Sequence, residues 1–183
     1  MKRTLLSIIM LLAISSMTTA QKFFTKNGSV SFFSKTNMED IKADNNQVLS
    51  VLNSQTGELQ FSVLVKSFHF EKALMEEHFN ENYMESDKFP KSSFKGNIAD
   101  ISKVNFTTDG TYPVSVSGDL TMHGATNKVT TQGKIIIQGG KITGTSVFKV
   151  TLADYKIVIP KLVETNISKT IEITVSCLYD QKM

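Results

Sequence analysis

Few residues in this chain have the type and spacing that chemistry needs. The stretch "GDLTMHGATNKV", residues 118–129, places His123 at the end of an alternating run and directly before a glycine. A histidine in that position can ligate a metal, act as a general base or fix a β-turn. A metal needs two or three converging ligands. The other histidines, His69 and His78, are nine residues apart across a change from strand to helix. No HExxH, CxxC or paired-histidine spacing occurs, so no metal is expected. Acyl transfer fares no better, because there is no GxSxG elbow. Glu76 and Glu77 adjoin on a helix and point about 100° apart, which does not make a carboxylate pair. No GxxxxGK[ST] loop is present to cradle phosphates. No catalytic residue and no cofactor is assigned, and the chain is expected not to be an enzyme. By alternation His123 points to the face opposite Leu120 and Met122. Gly124 supplies the positive φ of a tight turn, so the expected job of the ring is a turn-stabilising hydrogen bond.

The elements around these residues read as short strands with one apolar face each. In "YPVSVSGDLTMH", Tyr112, Val114, Val116, Leu120 and Met122 share a face. "ELQFSVLVKSF" aligns Phe61, Val63 and Val65, "FKGNIAD" aligns Phe94 and Ile98, and "VFKVTL" aligns Phe148, Val150 and Leu152. "IEITVSCLY" sets Ile171, Ile173, Val175 and Cys177 together. Cys177 is the only cysteine, so it forms no intrachain disulfide, and its apolar neighbours predict a buried, inert thiol. Turn residues separate the runs at 55–58, 108–111, 123–128 and 138–141. Asp109-Gly110 and Gly139-Gly140 are the hairpin candidates. One segment departs from the alternation. In "FEKALMEEHFNENYM", Met75, Phe79 and Tyr83 recur every four residues, a helical stripe that Pro90 ends. The pattern predicts an all-β chain, a sandwich or a barrel, with one short helix between strands.

The first 20 residues, "MKRTLLSIIMLLAISSMTTA", read as a signal peptide: Lys2 and Arg3, a short apolar run, then Thr18-Thr19-Ala20 as a cleavage site. The apolar run is too short to span a bilayer, and no stable membrane insertion is expected. Residues 21–183 are expected to form one domain in the periplasm or outside the cell. They carry eighteen lysines, seventeen acids and no arginine. A nucleic-acid binder uses arginine for phosphate forks and base edges, so no nucleic-acid partner is expected. Nothing in this composition sets an oligomeric state.

Three stretches resemble the YceI family of lipocalin-like, polyisoprenoid-binding barrels. "HFNENYMESDKFPKSSFKG", residues 78–96, is similar to the family's helix-then-strand segment through His78, Phe79, Phe89, Pro90 and Phe94. "YPVSVSGDLTMHGATNKV", residues 112–129, resembles its Gly-x-Leu-Thr strand running into a His-Gly turn. "FKVTLADYKIVIP", residues 148–160, is similar to a later strand and its Asp-aromatic loop. Where the family commonly carries arginines, near the helix and in the later strand, this chain has Glu76, Glu77 and Ala153. The resemblance implies an antiparallel, lipocalin-like β-barrel of about eight strands. It also implies an apolar cavity for an amphiphilic chain such as an isoprenoid quinone or a fatty acid derivative.

On that reading the cavity wall is Phe61, Val63, Val65, Phe94, Val114, Val116, Phe148, Val150, Ile173 and Val175. The helix packs over one end of the barrel or forms a lid in which Met75 and Phe79 touch ligand. The expectation is an exported carrier or scavenger of a lipid chain. The alternative is a structural or interaction module whose barrel is filled by its own twelve phenylalanines.

Overall fold

The computed structural model describes residues 21–183; the expected signal peptide lies outside the described residues. Strands β1 (Lys22–Lys35), β2 (Asp40–Asn53) and β3 (Glu58–Leu64) come first, followed by the two-residue β4 (His69–Phe70) and helix α1 (Ala73–His78). Then come β5 (Lys91–Ile98), β6 (Gly110–Met122), β7 (Ala125–Gln138), β8 (Lys141–Thr151), β9 (Thr170–Tyr179) and β10 (Gln181–Lys182). Eight of these strands close into an antiparallel barrel in the order β1-β2-β3-β5-β6-β7-β8-β9, with β9 returning to β1. Closure removes the free sheet edges that an open sheet of this size would expose. The two short strands are additions, β4 on Ala43 and Asp44 of β2, and β10 on Phe23 and Phe24 of β1.

The barrel forms because period-two alternation turns one face of every strand inward. On β6, Val114 and Val116 are buried while Thr111, Pro113, Ser117 and Asp119 are exposed. Two hairpins use two-residue turns with both φ values positive: His123 (50°) with Gly124 (71°), and Gly139 (55°) with Gly140 (76°). Such turns match the twist of the strands they join. The Asp109-Gly110 hairpin expected from sequence is not formed. A long connection with a 3-10 turn at Ile101–Lys103 leads to Gly110, which opens β6. Asp109 instead accepts hydrogen bonds from the Gly139 N–H at 3.0 and 3.1 Å, fixing the tip of the neighbouring hairpin.

The helical stripe is real but brief. Helix α1 has six residues and continues as a π turn over Phe79–Tyr83. A helix so short is not stable by itself, so tertiary contacts hold it. The Glu76 carboxylate accepts the Phe70 N–H at 3.1 Å. The Phe79 ring centroid lies 5.4 Å from Phe32, 5.6 Å from Phe68 and 5.1 Å from Phe70. The helix is thereby packed over one end of the barrel. The opposite end is plugged by a buried cluster that includes Ile137, Ile142, Ile101 and Tyr179, whose hydroxyl meets Ser50 Oγ at 2.9 Å.

Candidate functional site

The barrel is hollow. Its interior holds a cavity of about 360 Å³, toward the small end of the range typical of small-molecule sites. Nine of the ten wall residues expected from sequence line it: Phe61, Val63, Phe94, Val114, Val116, Phe148, Val150, Ile173 and Val175. Met75 and Phe79 reach it from α1 and the π turn. Val65 is placed elsewhere. Strand β3 ends at Leu64, and Val65 opens a 3-10 turn, where it is buried in a cluster with Met84, Ala125 and Tyr155. Alternation loses its meaning once the strand has ended.

Phe94 shows how the wall is shaped. Its ring lies across Gly96 of β5 and Gly118 of β6, which are paired in register. A Cβ on Gly118 would come within 2.4 Å of the Gly96 Cα and 2.7 Å of the Phe94 ring. The two bare backbones make the shelf on which the aromatic lies.

Several lining residues carried too little pattern to be read from sequence. Val30 and Phe32 of β1 line the cavity, but the adjacent Phe32-Phe33 pair hides which phenylalanine points inward. The connection between β8 and β9 contributes Ile157, Val163 and Ile167 from "KIVIPKLVETNIS", a segment without period two or period 3.6. Polar groups also gather where this connection and α1 meet the barrel. Glu39 lines the cavity and accepts from Lys72 Nζ at 3.4 Å and Asn166 Nδ2 at 3.3 Å. Ser34, buried beside it, takes the Ser168 N–H on its Oγ at 2.9 Å.

His123 does not line the cavity. Its side chain is only 10% exposed, so it is not the outward-facing turn residue that alternation implied. Its positive φ turns the ring between two connections. Nδ1 faces the Tyr155 carbonyl at 3.1 Å and Nε2 faces the Glu85 carboxylate at 2.7 Å. The Phe89 ring packs edge-on against it at 4.8 Å between centroids. Both ring nitrogens face acceptors. The hydrogen bond from His123 is the main cause that holds the Glu85 carboxyl below the usual glutamate range, with Lys88 assisting. The expected hydrogen-bonding role is therefore present, but it joins segments distant in sequence rather than closing its own turn.

The thiol of Cys177 is fully buried, and burial pushes its pKa up to about 12. A protonated, inaccessible thiol is a poor nucleophile. Among the described residues, no group of three or more His, Cys, Asp and Glu side chains converges as a metal site would require. No helix among them is long and apolar enough to cross a membrane.

Comparison with solved structures places this geometry among known barrels. A polyisoprenoid binding domain from Saccharophagus degradans, implicated in plant cell wall breakdown, superposes with a TM-score of 0.74 at 15% identity, covering 87% of this chain and 97% of that one. BcnA of Burkholderia cenocepacia gives 0.67 at 16% identity over 81% of this chain and 94% of that one. A Campylobacter jejuni YCEI protein gives 0.54 at 15% identity over 76% and 85%. These likenesses speak to the fold. No match is found among curated proteins. The sequence itself matches the model of the YceI-like domain over residues 11–178, and the chain therefore belongs to the YceI-like domain family.

Proposed function

We propose that this protein is an exported, non-catalytic carrier or scavenger that holds an amphiphilic chain molecule in its barrel. The observation that carries this reading is the cavity of about 360 Å³ with a mostly apolar wall. Such a lining rewards hydrocarbon. Each buried methylene contributes about 0.8 kcal/mol before losses, or about fourfold in Kd. The wall residues would be Phe61, Val63, Phe94, Val114, Val116, Phe148, Val150, Ile173 and Val175. Met75 and Phe79 would cover the chain from the helical end. The name of the Saccharophagus degradans domain, a polyisoprenoid binding domain, supports a prenyl or acyl chain as the ligand. Export to the periplasm or beyond is supported by the charge and hydropathy pattern of residues 1–20.

A barrel filled by its own phenylalanines is the competing reading, and the open cavity favours the carrier. The test is native mass spectrometry of residues 21–183 recovered from a bacterial host, followed by solvent extraction and titration with a homologous series of fatty acids and isoprenoid quinones. The carrier reading expects an extractable lipid and an affinity that rises with chain length. Bare protein that also ignores every member of the series would sink it.

A further inference from the structure

A closed barrel pairs every strand along both sides, yet β7 and β8 part company. Their ladder runs from Gln138↔Lys141 beside the Gly-Gly turn only as far as Gly133↔Ser146. Beyond that point β7 stays paired to β6 as far as Met122↔Ala125, and β8 stays paired to β9 as far as Thr151↔Thr170. Residues 125–132 and 147–151 therefore border a gap in the wall, each strand held by its other neighbour.

Side chains finish both ends of this gap. At the fork, Ser146 Oγ donates to the Gln132 carbonyl at 2.8 Å and Thr131 Oγ1 to the Val147 carbonyl at 3.4 Å, with the two hydroxyl oxygens 3.2 Å apart. Hydroxyls thus engage carbonyls at the point where the ladder stops. At the other end, Asn127 Nδ2 donates to the Asp154 carbonyl at 2.6 Å, and His123 ties the same connection through Tyr155. The gap is thus a bounded slot with a defined fork and a defined clasp. Its inner side is the cavity: Val129 and Thr131 from one lip and Phe148 and Val150 from the other all line it. One end of the barrel is plugged by the Tyr179 cluster, and the stacked Phe79 packs over the other.

Resting on the carrier reading, we propose that the slot between β7 and β8 is a lateral portal through which the hydrocarbon chain of the ligand crosses the barrel wall. A flexible, unbranched or prenyl chain can pass between two strands without breaking a ladder, since none is present there. A chain longer than the cavity extends through the same slot, which makes the portal part of its binding site. A bulky fused-ring lipid cannot pass.

The test uses the double variant Thr130→Cys/Lys149→Cys. Both positions are exposed and stand on opposite lips of the slot. A short bis-maleimide bridges the slot, and N-ethylmaleimide on the same variant controls for modification alone. Binding of a fluorescent polyene fatty acid of eighteen carbons is followed by stopped flow. The portal predicts uptake and release slowed about tenfold or more by the bridge, and changed less than about twofold by the control. Equal rates in bridged and control protein would overturn the portal and leave the carrier reading standing. No binding to the unbridged variant or to the parent would overturn the carrier reading, and the portal with it. A second readout avoids the bridge: maleimide reaction at Val129→Cys is slowed by a bound eighteen-carbon acid and much less by an eight-carbon acid. Protection that ignores chain length would count against the portal.

Discussion

The Nε2 of His123 stands 2.7 Å from the Glu85 carboxylate, joining a hairpin turn to the segment that follows the helix, 38 residues away in sequence. The opposite nitrogen of the same ring holds Tyr155. One side chain thus clasps three connections at one end of the barrel. Replacement by alanine removes both bonds, leaves the Phe89 ring without its partner and keeps a non-glycine residue at positive φ. His123→Ala is expected to lower stability by about 2–3 kcal/mol. Urea denaturation checks this, with the midpoint falling at unchanged slope. An unaltered midpoint would remove the clasp from the account.

Acid should loosen the same clasp. The Glu85 carboxyl is held below its usual range, chiefly by the hydrogen bond from His123. A depressed carboxyl stabilises the fold above the unfolded-state value, about 4.3 for glutamate. That contribution fades as pH falls below it and is gone beneath the lowered native value. The carboxyl is exposed to solvent, so the effect is modest and screened by salt. Comparing wild type with Glu85→Gln, the stability difference should shrink as pH falls below about 4.3, through the carboxylate range. A difference that widens there would contradict the assignment.

The parts of this molecule legible in sequence are those where one short-range rule acts alone. Val114 and Val116, or Phe148 and Val150, declare an inward face because the strand period is two and the barrel interior is apolar. His123-Gly124 and Gly139-Gly140 declare turns because both need positive φ. Val65 fails because nothing in "VLVKSF" marks where β3 stops. Asp109-Gly110 has hairpin chemistry, yet Asp109 spends its carboxylate on Gly139, a partner 30 residues away. Ile157, Val163 and Ile167 meet the cavity only because the connection that carries them folds across the barrel end, a tertiary fact with no local period. The slot between β7 and β8 was equally invisible, since each strand alternates normally and only their divergence creates it.

Cys177 gives a direct check on interior packing. With burial pushing its thiol up to about 12, the thiolate is scarce at neutral pH and reagents have no route to it. Native protein should show no reaction with an alkylating maleimide over hours at neutral pH, and complete reaction in denaturant. Mass spectrometry reads both. Rapid labelling of the native protein would mean that the plugged end of the barrel opens.

Gly118 tests the shelf beneath Phe94. A methyl group there meets backbone on two sides, the Gly96 Cα and the Lys95 carbonyl, both at 2.4 Å, so neither neighbour can rotate away. Gly118→Ala should cost about 1–3 kcal/mol from overpacking and push the Phe94 ring into the cavity. A variant as stable as wild type in thermal unfolding would show that the two strands separate freely here.

Val175 is the position from which to fill the cavity. It lines the space and is only partly buried, so a larger side chain at this site has open volume ahead of it. Val175→Phe adds apolar surface where a ligand would lie, and self-filling should leave the melting temperature equal or higher. If the chain ligand occupies this space, the same variant loses affinity for an eighteen-carbon fatty acid by about tenfold or more, since two buried methylenes are worth about 1.6 kcal/mol. Calorimetry and thermal unfolding together decide the matter. Lower affinity with retained stability places the ligand in the barrel; unchanged affinity at retained stability moves any ligand to the outer surface.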